Sequence, residues 1–225
     1  MSGHIPSGLS GRVVVLADRL KAHTFVNEVA LRSFTEGEEG LSKWSCHALS
    51  LGATSLANSG NWQGAISIIY RLCDLTANGT GPGLSPTDTA LKATESCLLK
   101  RGQPGFWRKV LEKVSSALAL RRLKIAQNTL HWQGSLEALN AMRMEGFLPH
   151  VKELNAALAG LLAAPVKESR SHALRLASDM RTNHIDLSIA NQQKVQQLND
   201  PSYSQAQKRL SPFQDDLTPR QTQRW

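Results

Sequence analysis

His131–Leu158, HWQGSLEALNAMRMEGFLPHVKELNAAL, is the stretch that decides the fold. Trp132, Leu136, Leu139 and Met142 recur at helical spacing, so its first half has one apolar face. Gly146 stops that helix, and Pro149 stands where a turn hands over to the next. Leu154, Ala157, Leu158 and Leu161 give the second half an apolar face of its own. The spacing therefore predicts a helix, a short turn and a helix. Such a unit cannot bury both faces alone, and it calls for copies of itself on either side.

The tryptophans locate the copies. Asn61-Trp62-Gln63-Gly64-Ala65-Ile66 and His131-Trp132-Gln133-Gly134-Ser135-Leu136 are nearly the same hexapeptide. Phe106-Trp107-Arg108-Lys109-Val110-Leu111 fits more loosely, and Arg170-Ser171-His172-Ala173-Leu174 fits with the Trp missing. Aromatic residues make up only 5% of the 225 residues, yet five are Trp and two are Tyr, as expected if Trp marks a repeated position. A lone Trp opening an amphipathic helix is ordinary core; one that returns with matched neighbours marks a repeat. In each copy the Trp opens the second helix of a hairpin, and a small residue three positions on lets the partner helix approach.

Outward from these units, Val13, Val14, Leu16, Ala17 and Leu20 predict an N-terminal helix within a segment 1–40. Arg12, Arg19 and Lys21 give that segment part of the character of an organellar targeting sequence, against which Asp18 and Glu28 count. The repeat domain is expected over residues 41–198. Its first helix runs from Leu41, carrying Trp44, Ala48, Leu49, Gly52 and Leu56, to a stop at Asn58-Ser59-Gly60. Further helices are expected over Trp62–Leu75, Asp88–Lys100 and Trp107–Leu120, with a break near Ala119–Arg122 before a shorter helix to Thr129. Beyond the opening stretch come Glu168–Met180 and Asp186–Leu198, and residues 199–225, with Pro201, Pro212 and Pro219 among polar residues, are expected to be a flexible tail.

Composition and motifs bound the chemistry. The 26 Lys and Arg against 18 Asp and Glu, a formal net charge of +8, favour polyanionic partners. The densest positive region is Arg101, Arg108, Lys109, Lys113, Arg121, Arg122 and Lys124, which could track a phosphate backbone or simply be a solvated face. Cys46, Cys73 and Cys97 are odd in number and lack CxxC spacing, the pattern of core thiols in a reducing compartment. No apolar run reaches the length of a membrane span. Gly79, Gly81 and Gly83 follow a helical segment and no Lys follows at Walker spacing, so they do not form a nucleotide loop. The seven histidines show no HExxH and no zinc spacing, and there is no deaminase signature and no GxSxG. The expectation is a non-catalytic protein with no metal, no cofactor and no small-molecule substrate.

With W-x-x-A/S-L, Met142, Gly146, Pro149 and Asn155 in place, the chain resembles the pentatricopeptide repeat family, particularly its Trp-marked type common in organelles of protists. The resemblance covers roughly residues 41–198. It implies an all-α fold, a right-handed α-solenoid of about four degenerate helix-turn-helix repeats, binding single-stranded RNA at one base per repeat. Two side chains per repeat would read the base, one on the first helix and one at the repeat's last position. These map onto Asn155 and Asp186, a pairing that in the family favours uracil, and in an earlier repeat onto Ser50 and Thr87. The step of five residues from His150 to Asn155 returns from Asp186 to Asn191. The remaining repeats offer Lys92, and Leu120 with His150. The spacing is irregular, 45 residues from Trp62 to Trp107 and 25 from Trp107 to Trp132. One good base contact is worth only about 1–3 kcal/mol, so two competent repeats do not give a free-standing sequence-specific binder. The resemblance thus implies an RNA-associated protein of the mitochondrial matrix, or of a plastid. It would act in RNA processing, stability, editing or translation, with single-stranded or ribosomal RNA and the protein subunits of such a complex as partners. The reading from another class is a scaffold subunit that contacts mainly proteins.

Overall fold

The computed structural model describes residues 13–18, 25–26, 28–30, 32, 44–79 and 85–199. Among these all regular structure is helical. Residues 13–18, 25–26, 28–30 and 32 are helical, and from Cys46 onward eight helices follow: α1 (Cys46–Asn58), α2 (Trp62–Asn78), α3 (Asp88–Lys100), α4 (Pro104–Asn128), α5 (Trp132–Met144), α6 (Val151–Ala163), α7 (Lys167–Thr182) and α8 (Ile189–Asn199). The expected tail beyond Asn199 and the Gly-rich loop at 80–84 lie outside the described residues.

Five of these helices end in the same way. Gly60, Gly102, Leu130, Gly146 and His184 all have positive φ, from 54° to 84°. The next N–H reaches back to the carbonyl five residues earlier, as in Asn61 to Leu56 and Phe147 to Met142. The positive-φ residue's own N–H bonds the carbonyl three back, as in Gly60 to Ala57. This double bond set satisfies end carbonyls that the helix itself leaves open. The side chains at the receiving position, Leu56, Leu98, Ala126, Met142 and Met180, are all buried. Each turn is thereby locked both to the backbone and to the core.

After α1, α3 and α4 the residue following the turn opens the next helix directly. After α5 and α7 four residues intervene, Phe147–His150 and Ile185–Ser188. Asn61 Oδ1 accepts the Gly64 N–H at 3.0 Å and starts α2. Ser45 Oγ accepts the Ala48 N–H at 3.2 Å, which is why α1 begins at Cys46 and leaves the buried Trp44 outside the helix, later than the expected Leu41. α8 likewise starts at Ile189 rather than Asp186, because Ser188 carries the first helical hydrogen bonds.

The matched hexapeptides occupy matched places. In α2, Ala65, Ile69 and Leu72 are buried; in α5 the residues 70 further on, Ser135, Leu139 and Met142, are buried too. Stepping 45 residues from Trp62 to Trp107 carries the same three positions to Val110, Val114 and Ala117, also buried. The glycines of the two WQG motifs sit where the helix meets its predecessor. A Cβ on Gly64 would lie 3.0 Å from Leu56, and one on Gly134 would lie 3.2 Å from Ala126.

α4 overturns one expectation. It runs unbroken through 25 residues, with no break at Ala119–Arg122. The segment holds neither Gly nor Pro after Gly105, and Ala117–Arg122 are good helix formers, so nothing stops the backbone. What changes there is the buried face. Val110, Val114 and Ala117 are buried on one side, whereas Ala119, Leu123 and Ala126 are buried on roughly the opposite side at about 100° per residue. α4 packs on α2, on α5 and on α6. Val110, Val114 and Ala117 belong to one apolar cluster that also holds Val14, Ala17, Val29 and Ala30; Leu123 belongs to a second that extends to Val195. α4 is the second helix of one hairpin fused to the first helix of the next. α1 packs also on α3, and α6 on α7 and α8.

Candidate nucleic-acid interface

The structure brings Asn155 and Asp186 together, in a way the sequence did not indicate. Asn155 lies on α6, and its Nδ2 donates to the Val151 carbonyl and to the Asp186 carbonyl, each at 2.9 Å. Its Oδ1 accepts the Ser188 N–H at 2.7 Å and Asn191 Nδ2 at 3.1 Å, and Asn191 Nδ2 also donates to the Asn155 carbonyl at 2.8 Å. Both amide hydrogens and both lone pairs are in use. Asn155 is a clamp that holds the α7–α8 connection against α6. The Asp186 side chain is exposed, and among the described residues only its backbone is engaged.

The helix starts also fix the register. His150 and Ser188 each stand four residues past the positive-φ residue and each opens a helix. Asn191 is then the counterpart of Glu153, not of Asn155, and Asp186 is the counterpart of Leu148. The shared five-residue step therefore does not join equivalent positions. Glu153 is 1% exposed: its Oε2 accepts the His150 N–H at 2.9 Å and its Oε1 accepts the Ser116 hydroxyl. His150 Nε2 meets Glu112 Oε1 at 2.8 Å, and Ser115 Oγ donates to Glu145 Oε2 at 2.6 Å. These contacts pin α4 to the α5–α6 turn. Glu153 is absent from the expected site, although a capping Glu three residues after a helix start is legible in the sequence.

Ser50 stands five residues after its helix cap, as Asn155 does. It is 2% exposed, and its hydroxyl has no hydrogen-bond partner among the described residues. Ser50 and Thr87 share a cleft of about 580 Å³ with Asp18, His47, Thr54 and Asn58. Thr87 Oγ1 accepts the Ala90 N–H at 3.3 Å and caps α3.

The basic residues divide. Lys109, Lys113 and Lys124 fall within about 60° of one another around α4, and Arg108 and Arg122 project from the other side. Lys113 Nζ pairs with Asp74 at 2.9 Å, with both side chains about half exposed. Lys124 Nζ donates to the Asn78 carbonyl at 2.6 Å, at the end of α2. Lys109 Nζ stands 5.5 Å over the Phe106 ring. The Arg101 guanidinium lies over the α1–α2 turn, where a Cβ on Gly60 would come within 2.8 Å of Nη2. Arg121 is half-buried. Lys109, Lys113 and Lys124 thus lie beside α2, while Asn155 is turned to the α7–α8 connection.

Two tryptophans bridge successive hairpins. Trp62 meets Phe106 with ring centroids 5.4 Å apart, and Trp132 stacks on His172 at 5.3 Å. Cys73 is buried, and desolvation pushes its thiol up to about 12; burial also raises Cys46. Among the described residues no three His, Cys, Asp or Glu side chains are grouped to hold a metal ion, and no helix is long and apolar enough to cross a membrane. Comparison with known protein families, with curated proteins and with solved structures gives no match.

Proposed function

We propose that this chain is a non-catalytic, RNA-associated helical repeat protein of the pentatricopeptide type, its hairpins stacked as a right-handed solenoid. It works in the mitochondrial matrix, in RNA processing, stability, editing or translation. The observation that carries this reading is an excess of eight positive charges, with Arg101, Lys109, Lys113 and Lys124 exposed around one pair of neighbouring helices, α2 and α4. Phosphates are held there by charge, which gives affinity without sequence information. Asn155 supports the fold as a clamp, and Asp186 is the side chain left to touch a base.

The scaffold reading has its own support. Met144 is 89% exposed, Leu148 77% and Ile189 76%, apolar surface at helix ends that a protein partner would cover. Ultraviolet crosslinking of the tagged chain in organelles, with sequencing of recovered RNA and identification of co-purified proteins, separates the two. Specific RNA crosslinks are expected. Stable protein partners with no RNA recovered would replace the RNA reading by the scaffold.

A further inference from the structure

Phe106, Lys109 and Lys113 follow each other at i, i+3 and i+7, so they form one stripe along the start of α4. Phe106 is 41% exposed, an unusual position for a large ring two residues inside the longest of the described helices. It is not loose: the half-buried Trp62 meets it at 5.4 Å with planes tilted by 47°. Lys109 Nζ lies 5.5 Å over the ring. Arg101 reaches over Gly60, two residues before Trp62, and extends the patch at its other end. Asp74 pairs with Lys113 at 2.9 Å and offsets its charge, so the net positive charge of the patch comes from Arg101 and Lys109.

We infer that this stripe is the surface that holds a single strand: Phe106, backed by Trp62, takes a base by stacking, and Arg101, Lys109 and Lys113 take the flanking phosphates. The inference rests on the RNA-associated reading and moves its contact point from Asn155, whose amide is fully used inside the fold, to the α2–α4 edge. Lys109 already occupies space over the ring, and magnitudes decide that competition. An exposed cation over an aromatic ring contributes only about a 2- to 5-fold preference. A stacked base is worth about 1–3 kcal/mol by alanine substitution. The base displaces the ammonium, whose flexible stem turns it to a phosphate. The exposed pair of Lys113 and Asp74 yields in the same way, being a solvent-screened surface pair. Duplex RNA offers no free base face and is excluded from the stacking contact.

Fluorescence anisotropy of the full chain with a labelled oligouridylate tests this. Phe106→Ala weakens binding by about 5- to 100-fold, and Phe106→Trp restores it. Arg101→Gln, Lys109→Gln and Lys113→Gln together flatten the slope of log affinity against log salt by about 2, since each phosphate neutralised by a cation adds about 0.7 to that slope for a single strand. Phe106→Leu keeps an apolar contact with Trp62 but has no π face, so it also loses affinity at an unchanged melting temperature. Oligouridylate bound by Phe106→Leu as by the unaltered chain overturns the inference, even if the alanine variant misfolds. An unaltered chain that binds no oligouridylate overturns both the inference and the RNA reading. Binding that persists in all these variants removes the stripe alone. An acidic polypeptide that competes fully and needs the cations but not Phe106 overturns the inference in favour of an acidic protein partner.

Discussion

At the scale of single residues, a polar side chain with the right identity for base recognition turns out to hold the fold. Asn155 makes four side-chain hydrogen bonds, three of them to the 186–191 segment. Asn155→Ala would remove the bonds to the Ser188 N–H and the Asp186 carbonyl, both at exposed sites that water can reach, at about 0.5–1.5 kcal/mol for each bond. We expect a lowered melting temperature and faster amide exchange at Ser188, so weakened RNA binding in that variant would not identify a reader. Asp186→Ala leaves these bonds intact and is the clean test: unchanged stability with reduced oligouridylate affinity is expected if Asp186 touches a base. Cys73 gives a second residue-scale prediction. Burial raises its thiol from an ordinary 9.0 to about 12. A raised acid is stabilising below the unfolded value, so this contribution is present below about pH 9 and is lost as pH rises towards 12. Alkylation at pH 8 is expected to spare Cys73 in the native protein and to modify it on unfolding; rapid native labelling would contradict the burial.

At the scale of elements, small residues set how closely the helices approach. A Cβ on Gly160 of α6 would run into the Ser135 hydroxyl on α5, which is itself buried with no hydrogen-bond partner among the described residues. Gly160→Ala is therefore expected to destabilise by about 1–3 kcal/mol, read by denaturant unfolding. Ser135→Ala removes the obstructing atom, leaving the Ser135 Cβ 3.5 Å away at ordinary contact, so the double variant recovers most of the loss. Additive losses would mean that the two helices do not meet there. The hairpin turns belong to this scale too. Gly60, Gly102 and Gly146 take positive φ without strain, whereas Leu130 and His184 hold it because the same reciprocal bonds and buried side chains fix their turns.

At the scale of the whole molecule, α4 connects two apolar clusters. Arg122 is exposed on the second half, and Arg122→Pro would remove a helical hydrogen bond and clash with the preceding turn, at about 3 kcal/mol or more. The expected result is loss of cooperativity, with fluorescence of Trp62 and Trp132, isolated by replacing the other tryptophans with Phe, reporting separate transitions. Coincident transitions would show that the clusters communicate by other contacts. The helices from 13–18 onward add Val14, Ala17, Val29 and Ala30 to the first cluster, so the N-terminal segment contributes to the packed core.

The sequence by itself determined the helical class and the buried faces of the Trp-marked helices, because both rest on local pattern. Apolar residues at helical spacing, the repeated Trp-Gln-Gly and the stops at Gly60 and Gly146 have the same meaning wherever they occur. The offset of 70 residues between the two best copies was in the letters, and the buried positions followed it. The continuity of α4 was only half legible: the absence of Gly and Pro was visible, but the change of buried face between Ala117 and Ala119 is set by the helices packed around it. Only the tertiary structure decided the role of Asn155, since all its partners but Val151 lie 31 to 36 residues away and their bonds depend on how α6 meets the α7–α8 connection. It decided as well that Phe106, a neighbour of the marker Trp107, would stand exposed against Trp62 of the preceding hairpin, because which side of a ring stays open is fixed by the packing of α2 against α4 and not by the spacing of either.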